Sequence, residues 1–524
     1  MKKLFTPGFL PKLLCGLLLL AQMVLVLFGL FCLLGFVTDV GKSSSFVLFF
    51  VALIYSCDVV VSISIINGDS APSYKVAWMF FVFALPIGGL LLYLFFANKA
   101  NSKRNRKKIA HDSYPLLSHP SKESTHAALR KQAPSAVSIS DYLAHIGRMG
   151  VHDRTSVEYF PLVDFAFEPL LRELRNAKHY IFLEFFIVAP GLFWDSILAI
   201  LEEKAKEGVD VRLIYDDVGS LSTLPSGYAS KLGKMGIKAV CYNPFRPFLD
   251  VRQNNRDHRK ILVIDGHTAW SGGFNLADEY INKLERFGHW KDNAILVKGE
   301  AVYSFTLLFL ATWESVRKEE SVDKEDYRPE RYIDEIGGFP ESQGFVQPYG
   351  DLPFDREEVG ESVYLSLLER AERYCYVTTP YLILDSEMEN AFCRAAKSGI
   401  DVRLVTPHIP DKKAVFNLTR SYYGNLLRAG VRIYEYTPGF VHEKTFCVDD
   451  SMATCGTINL DYRSLYLHLE CGTLLVGCPC IKNIRRDFDD TFALCHEVSY
   501  GEWSRWRIRN QGYWSLLRVI DPLL

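Results

Sequence analysis

The sequence has almost no net charge and no regular cysteine framework. Its 59 lysines and arginines are balanced by 61 aspartates and glutamates, a formal net charge of −2 at pH 7. A general polyelectrolyte attraction to nucleic acid therefore has no support. The 12 cysteines are scattered through apolar and strand-like segments, which is typical of a reducing compartment. Cys478 and Cys480 lack a second Cys or His pair at zinc spacing, so the sequence predicts no metal site.

The N-terminal region contains three long apolar runs, at residues 13–37, 46–66 and 76–97. Each is long enough to span a bilayer as a helix. The first lacks a clear signal-peptide cleavage site, so we expect a retained anchor. The middle run contains Asp58, which is costly at that depth unless it is paired. The sequence therefore predicts a transmembrane anchor over residues 1–98, with either two or three spans.

A cluster of basic residues follows the third apolar run. Its members are Lys99, Lys103, Arg104, Arg106, Lys107 and Lys108. Positive charge marks the cytoplasmic side of a membrane, which predicts a multi-pass cell-membrane protein whose remaining chain is cytoplasmic. Lys2, Lys3 and Lys12 favour a cytoplasmic N-terminus, in agreement with two spans. Residues 99–156 are predicted to form a basic linker with a helix near 138–148.

The rest of the chain contains an internal repeat. Residues 206–214 read KEGVDVRLI, and residues 397–405 read KSGIDVRLV. In each copy an amphipathic helical pattern ends at a glycine and leads into a β-branched strand, which is typical of α/β structure. We expect two pseudo-symmetric α/β/α lobes, over residues 157–340 and 341–524, around a shared cleft. The aromatic and basic C-terminal tail either lies at a lipid interface or packs against the second lobe.

Each copy carries one His-x-Lys-x4-Asp motif. The motif residues are His258, Lys260 and Asp265 in the first lobe and His442, Lys444 and Asp449 in the second. Strand alternation puts the histidine and lysine of a motif on one face, so both can reach one ligand. Two histidines supply a nucleophile and an acid, and two lysines supply charge for phosphoryl oxygens. The pattern predicts a phosphodiester-transfer site that requires neither metal nor cofactor.

Further polar residues near the motifs belong to the predicted site. Asn275 and Asn459 follow glycines downstream of the motifs, and each can donate to a phosphoryl oxygen. Glu470, and in the other lobe Glu279, can orient an imidazole through its second nitrogen. The aspartate of each motif lies at an odd offset from its histidine, which reverses the strand face. Its role is therefore open between contact with the reacting groups and anchoring of the backbone.

These motifs resemble those of the phospholipase D superfamily, and within it the bacterial cardiolipin synthases. Other matching patterns are Ala77-Trp78, Gly272-Gly273-Phe274-Asn275, Trp290-Lys291-Asp292, Thr378-Thr379-Pro380-Tyr381 and Asn459-Leu460-Asp461-Tyr462-Arg463-Ser464. The resemblance implies transfer of a phosphatidyl group between two phosphatidylglycerols through a phosphatidyl-histidine, which makes cardiolipin and releases glycerol. It also implies that His258 is the nucleophile and His442 the acid, although the residues alone do not distinguish them. The lysines and asparagines would clamp the phosphate.

Other functions can use the same histidines and lysines. A phospholipase-D-type lipid hydrolase, or a phosphatidyltransferase such as a serine-utilising synthase, differs in the acceptor of the phosphatidyl group. A nuclease of this superfamily is usually a dimer of smaller single-motif chains, whereas this chain carries both motifs. A non-catalytic scaffold would be expected to have lost a motif residue. Membrane phospholipids, namely phosphatidylglycerol and cardiolipin, are the expected partners; nucleic acid is not, and the oligomeric state is not defined by the sequence.

Overall fold

The computed structural model describes residues 44–68, 71–85, 87–96, 117–245, 254–317, 322–355 and 357–523. Contacts between residues divide the chain into two units. One unit comprises Met1–Asn105, Phe245–Asn254 and Leu516–Leu524, and the other comprises Arg106–Pro244 and Asn255–Ser515. Both His-x-Lys-x4-Asp motifs lie in the second unit.

The described part of the first unit is helical. Its helices are α1 (Ser44–Ile66), α2 (Pro72–Ala84) and α3 (Gly88–Phe96). The apolar run 76–97 is therefore not one helix: α2 ends at Ala84, α3 begins at Gly88, and Ile87 between them has a φ of +40°. Within the described ranges, no helix is both long and apolar enough to cross a membrane. The predicted run 13–37 lies outside those ranges.

Part of the predicted linker is folded as a component of the second unit. It contains α4 (Glu123–Gln132) and α5 (Val137–His145), which confirms the helix predicted near 138–148. Apolar residues buried on these helices include Leu129, Ile139 and Leu143. The side-chain amide of Gln347 donates to the carbonyls of Ser140 and Met149 at 3.1 and 2.8 Å. From residue 117 onward, this segment is packed structure rather than a tether.

The first lobe is built around a mixed sheet. Its strands are β1 (Thr155–Phe160), β2 (Tyr180–Phe185), β3 (Asp210–Asp216), β4 (Lys238–Tyr242), β5 (Lys260–Ile264), β6 (Thr268–Gly272), β7 (His289–Lys291) and β8 (Ala294–Gly299). All except β7 form a seven-stranded sheet in the order β1-β8-β6-β5-β2-β3-β4. Strands β2, β3 and β4 are parallel, and β5 is antiparallel to β2. The helices are α6 (Val163–Arg175), α7 (Leu192–Lys206), α8 (Asp217–Ser220), α9 (Tyr228–Gly233) and α10 (Val302–Val316).

The second lobe repeats this plan. Its strands are β9 (Phe345–Asp351), β10 (Tyr374–Thr378), β11 (Asp401–Pro407), β12 (Arg432–Tyr436), β13 (Gly439–Val441), β14 (Thr445–Val448), β15 (Met452–Gly456), β16 (Glu470–Val476) and β17 (Cys495–Val498). An eight-stranded sheet has the order β17-β12-β11-β10-β14-β15-β16-β9, and β13 pairs with β7. The helices are α11 (Val359–Glu369), α12 (Ser386–Lys397), α13 (Lys413–Ala429), α14 (Tyr462–Tyr466), α15 (Cys480–Ala493) and α16 (Tyr500–Ile520).

The repeat seen in the sequence has the same backbone in both lobes. Helix α7 is followed by Gly208 and helix α12 by Gly399, and φ is +94° at both glycines. This left-handed conformation ends a helix and is costly for residues that carry a Cβ. Each glycine leads into a strand, β3 or β11, that is parallel to its neighbour β2 or β10. The prediction of two α/β lobes is therefore confirmed.

A buried helix joins the two lobes. Residues 302–313 of α10 are all buried, as expected for a helix that is apolar on every side. One continuous core contains α10 together with Ile261 and Val263 of β5, Val346 of β9 and Cys455 of β15. The strands that carry the two motifs are thus packed on a common apolar layer, which fixes their separation.

The C-terminal helix α16 packs on the second lobe through two tryptophans. Trp503 and Trp514 are each 4% exposed. The indole N–H of Trp503 donates to the Arg420 carbonyl at 2.8 Å, and that of Trp514 donates to Oδ1 of Asn417 at 3.2 Å. The sequence left two arrangements open for the tail, a lipid interface or packing against the second lobe. These two tryptophans pack against the lobe.

Candidate active site

The two motif histidines are held by backbone from the opposite lobe. His258 precedes β5, and its N–H donates to the Leu469 carbonyl of the second lobe at 2.9 Å. His442 precedes β14, and its N–H donates to the Lys291 carbonyl of the first lobe at 2.8 Å. The parallel pairing of β7 with β13 belongs to the same junction. Each lobe therefore positions the histidine of the other.

A buried carboxylate of the second lobe pairs with the ring of His258. The His258 Nδ1 lies 2.9 and 3.0 Å from the two oxygens of Glu470, which begins β16 and is fully buried. The hydroxyls of Thr457 and Ser464 donate to the same carboxylate. These hydrogen bonds compensate the burial of Glu470 and fix the carboxylate against the ring.

The ring of His442 has the equivalent partner in the first lobe, but it is not the residue named from the sequence. Its Nδ1 lies 2.8 Å from Oδ2 of Asp292, which is fully buried. Glu279, the sequence-based candidate in this lobe, pairs instead with Arg286 at 3.0 Å. The assignment of Glu279 is therefore corrected to Asp292.

Strand register explains why Asp292 and Glu470 are equivalent. Strands β6 and β15 each end at a glycine, and that glycine pairs with a residue of the next strand in the sheet. Asp292 and Glu470 each lie two residues before that paired residue. The pairs are Gly272 with Ala294 and Gly456 with Gly472. A Cβ at Gly273 would overlap the Asp292 carboxylate, whereas the equivalent Thr457 uses its hydroxyl to hold the longer Glu470. A glycine and a short acid in one lobe thus correspond to a threonine and a long acid in the other.

The carboxylates leave Nε2 of each imidazole as the nitrogen available to phosphorus. Burial lowers the pKa of His442 to about 4 and holds the pKa of His258 well below its ordinary value, and the motif lysines act in the same direction. His442 also contributes to the lowered pKa of His258, so the two rings share one cleft. Both rings are therefore neutral near pH 7 before an anion binds, as a nitrogen nucleophile requires.

The motif lysines are buried beside their histidines. The Lys260 Nζ donates to the His258 carbonyl, and the Lys444 Nζ donates to the His442 carbonyl. Burial lowers the pKa of Lys260 to about 8 and that of Lys444 to about 7. An anionic phosphodiester bound between the lobes would raise both pKa values again and so favour the protonated, cationic form of each amine.

The affinity of the cleft for sulfate is expected to fall as the pH rises through the lysine pKa values of about 7 and about 8. Both amines are cationic below these values and lose their protons above them, whereas sulfate keeps its charge throughout. Each lost proton weakens binding by up to about tenfold per pH unit. Competition by sulfate against lipid turnover, followed across this interval, measures the effect.

Lys444→Arg is the matched variant for the sulfate experiment, since a guanidinium stays charged at every accessible pH. It is expected to remove the lower of the two inflections and leave the upper one. A sulfate affinity that does not change with pH in the unmodified protein would contradict the assignment of these amines as the anion ligands.

The two predicted asparagines have different surroundings. The Asn275 side chain accepts from the Ile187 N–H at 3.0 Å and donates to the Tyr280 hydroxyl at 2.7 Å. The Asn459 N–H donates to the Ser464 hydroxyl at 3.0 Å, and its side-chain oxygen is buried without a hydrogen-bond partner in the described part of the chain. A phosphate-clamping role for either asparagine remains a proposal.

The motif aspartates lie at tight turns and bind backbone amides. Asp265 accepts from the N–H groups of residues 178, 179 and 180, each at 2.8 Å. Asp449 accepts from the N–H groups of residues 372, 373 and 374, at 2.6 to 2.9 Å. Their φ values are +50° and +54°. The sequence left the role of these aspartates open between contact with the reacting groups and anchoring of the backbone. Their contacts match anchoring of the neighbouring strand, β2 or β10.

Asp265→Ala is expected to lower the free energy of unfolding by about 3 kcal/mol or more, because three amides lose a charged acceptor. Alanine at a positive φ adds about 1 kcal/mol. Asp265→Asn should cost less, since asparagine tolerates this conformation and keeps one acceptor oxygen. Thermal unfolding measures the loss. Activity per folded molecule should stay within a few-fold; a large loss of activity at unchanged stability would instead assign Asp265 to the reacting groups.

The residue between the histidine and the lysine of each motif, Arg259 or Glu443, is buried at the junction of the lobes. The Arg259 Nε donates to the Glu470 carbonyl at 3.1 Å. In the second motif, Glu443 lies 3.3 Å from the amine of Lys291, which also contacts Asp487 at 2.8 Å. Removing one member of a buried pair leaves an uncompensated charge. These contacts therefore fix the backbone beside both histidine–carboxylate pairs, and the sequence did not single them out.

In this site each α/β lobe supplies the carboxylate that pairs with the motif histidine of the other lobe. This arrangement defines a two-motif phosphodiester-transfer protein. A family model described as cardiolipin synthase, PLD-like domain, matches residues 170–304 and 364–492. A second, described as phospholipase D-nuclease N-terminal, matches residues 57–98. The chain belongs to the cardiolipin synthase family of the phospholipase D superfamily, as the resemblance of its motifs indicated.

Relatives match over most of the chain. A protein of Streptococcus mutans without an assigned function is 43% identical over 88% of this chain and 98% of its own length. A cardiolipin synthase of Geobacillus kaustophilus is 34% identical over 90% of this chain and 93% of its own length. The crystal structure of a phosphatidylserine synthase from Haemophilus influenzae superposes with a TM-score of 0.54 at 15% identity, over 70% of this chain and 95% of that one. The last likeness concerns the fold.

Proposed function

We propose that the chain is a cardiolipin synthase that transfers a phosphatidyl group from one phosphatidylglycerol to a second and releases glycerol. The observation that carries this proposal is the cross-lobe site, in which each histidine is held by a buried carboxylate of the other lobe, Glu470 or Asp292. Membership of the family supports a lipid as the phosphodiester, since relatives named cardiolipin synthase match over most of their length.

In the first half-reaction, Nε2 of His258 bonds to the phosphorus of phosphatidylglycerol as the bond from phosphorus to the glycerol oxygen breaks. His442, as imidazolium, gives its proton to that oxygen, and glycerol leaves. The bound phosphodiester anion and Asp292 both favour this imidazolium. Lys260 and Lys444 offset the charge that develops on the non-bridging oxygens. The product is a phosphatidyl-histidine on His258.

In the second half-reaction, a hydroxyl of another phosphatidylglycerol gives its proton to the now neutral His442. The hydroxyl oxygen bonds to phosphorus while the bond from phosphorus to the His258 nitrogen breaks. Cardiolipin leaves and His258 is neutral again. The proton on His442 is released with the anion and is taken up again when the next phosphodiester binds. Water as the acceptor would give phosphatidic acid by the same route, so exclusion of water decides the product.

The proposal includes a multi-pass location in the cell membrane with the catalytic lobes on the cytoplasmic side. It is supported by the lipid substrate, by the apolar sequences 13–37 and 46–66 and by the basic cluster that follows residue 98. A tether would keep the cleft close to its substrates. Proteolysis of the lobes in inverted but not in right-side-out vesicles is the expected result, and the opposite pattern would refute this orientation.

The proposed reaction is tested with the full-length protein in detergent and phosphatidylglycerol, without added metal ion or cytidine nucleotide. Mass spectrometry is expected to show cardiolipin and free glycerol in equal amounts. His496→Ala, at an exposed histidine that pairs with Glu502, is the control for removal of a histidine outside the cleft. Phosphatidic acid as the sole product would identify a hydrolase, and phosphatidylserine formed on addition of serine would identify a serine-utilising synthase.

A further inference from the structure

The two sides of the cleft differ at one pair of equivalent positions. Trp290 lies two residues before Asp292, and its ring centre is 5.5 Å from that of His442. His468 lies two residues before Glu470, and its ring centre is 5.8 Å from that of His258. The indole ring of Trp290 beside His442 thus corresponds to the titratable imidazole ring of His468 beside His258.

His468 is held in place by backbone contacts on both sides of it. The His468 N–H donates to the Arg463 carbonyl at 3.0 Å, and the N–H of the next residue, Leu469, donates to the Arg256 carbonyl at 2.8 Å. The side-chain amide of Asn255 donates to the Leu467 carbonyl at 2.8 Å. The ring therefore lies beside two arginines, at the point where the 255–258 and 467–470 segments run together.

The His468 ring is a partly buried polar group in a cationic environment. Its Nδ1 is buried with no hydrogen-bond partner among the described residues. Burial, together with the charges of Arg463, Arg256 and Lys260, holds the pKa of His468 well below its ordinary value. An anion beside the ring would accept a hydrogen bond from it and reverse the effect of these charges.

Each of the neighbouring arginines has an acidic residue near it. Arg256 donates to both oxygens of Asp216 at 2.9 to 3.0 Å, and this contact holds the guanidinium in a fixed orientation. Asp461 lies near Arg463, and its carboxylate accepts from the Ser464 N–H at 2.9 Å. Arg463 is partly exposed, and its charge acts on the His468 ring.

We propose that His468 and Arg463, supported by Arg256, form a second anion subsite that binds the phosphate of the acceptor lipid. The inference rests on the proposed function: the attacking molecule is a phosphatidylglycerol, whose own phosphate is joined to its reactive hydroxyl by a three-carbon glycerol. The reacting phosphate is already served by Lys260 and Lys444. The His468 ring centre lies 5.8 Å from that of His258, which places the cationic cluster beside the reacting phosphate.

Two reactions of one enzyme separate the acceptor subsite from the catalytic site. Cardiolipin formation uses an acceptor with a phosphate, whereas exchange of phosphatidylglycerol with deuterated glycerol uses an acceptor without one. Both reactions pass through the same phosphatidyl-enzyme. His468→Phe keeps the ring shape and Arg463→Met keeps much of the chain length, while each removes a ligand for the anion.

Both variants are expected to lose cardiolipin formation by about tenfold or more, the usual effect of losing a charge-assisted hydrogen bond. Glycerol exchange should stay within a few-fold of the unmodified protein, and this rate also shows that the variant is folded. Arg463→Lys should recover part of the cardiolipin rate. Arg432→Gln removes a surface arginine that pairs with Glu497 at 2.8 Å, and it should change neither reaction.

Equal losses in both reactions, or no loss in either, would overturn the subsite. Free phosphate is the other source of the same anion; a cardiolipin rate that depends on added inorganic phosphate, and loses that dependence in His468→Phe, would overturn its assignment to the lipid. Absence of both reactions in the unmodified protein would instead refute the proposed function on which the subsite rests.

Discussion

His258→Ala is expected to reduce cardiolipin formation by at least about a thousandfold, because it removes the atom that would bond to phosphorus. His442→Ala should have an effect of similar size, since the glycerol oxygen would then leave without a proton. The two losses should not add in the double variant, because the histidines act in one sequence of steps. Initial rates of cardiolipin and glycerol release measure all three variants.

The same variants distinguish the two histidine roles. If His258 is the nucleophile, intact-protein mass spectrometry should detect a phosphatidyl adduct in His442→Ala, where breakdown of the intermediate is slow, and no adduct in His258→Ala. The reverse pattern would exchange the roles. Turnover that persists in both single variants would rule out the two-histidine site, and His496→Ala should behave as the unmodified protein does.

Sequence patterns were sufficient where the structure depends on neighbouring residues. The glycine stops at Gly208 and Gly399 and the strands that follow them were predictable because helix ends and strand alternation are local properties. The matching motifs around His258 and His442 placed the reactive groups for the same reason. The repeat then implied that the two motifs meet, which is a statement about symmetry rather than about a contact.

Contacts between the lobes were harder to predict. Asp292 lies in the pattern Trp290-Lys291-Asp292, yet its partnership with His442 depends on which strand edges meet, and that is a tertiary property. Glu279 was the acidic residue proposed from the sequence, but it pairs with Arg286 instead. Knowledge of the register of β6 with β8 would have singled out Asp292 as the equivalent of Glu470.

Burial by distant segments explains the other differences. Residues 117–156 have little apolar periodicity of their own, and they are held by distant residues such as Gln347, which donates to the carbonyls of Ser140 and Met149. The linear pattern left the role of the motif aspartates open between contact with the reacting groups and anchoring of the backbone. Their positive φ and their three amide contacts become apparent only when the preceding strand is in place.

Asp292→Asn and Glu470→Gln are expected to reduce the turnover number by about a hundredfold to ten thousandfold with little change in KM, as loss of a histidine-orienting carboxylate does elsewhere. An amide can present its N–H to Nδ1, which would place the imidazole proton on Nε2. A protonated Nε2 cannot attack phosphorus, and an imidazolium beside a neutral amide loses its stabilising charge. The chemical step should therefore fail while lipid binding through the lysines persists.

A second change separates orientation from general damage. Glu470→Gln should have little further effect when His258 is already alanine, because the carboxylate acts through that ring. Thermal unfolding serves as the control, and Asp292→Glu tests shape, since the longer acid would crowd the space that Gly273 leaves open. Full additivity of Glu470→Gln with His258→Ala would mean that the carboxylate acts elsewhere. A turnover number that stays near normal in both amide variants would remove these carboxylates from the mechanism.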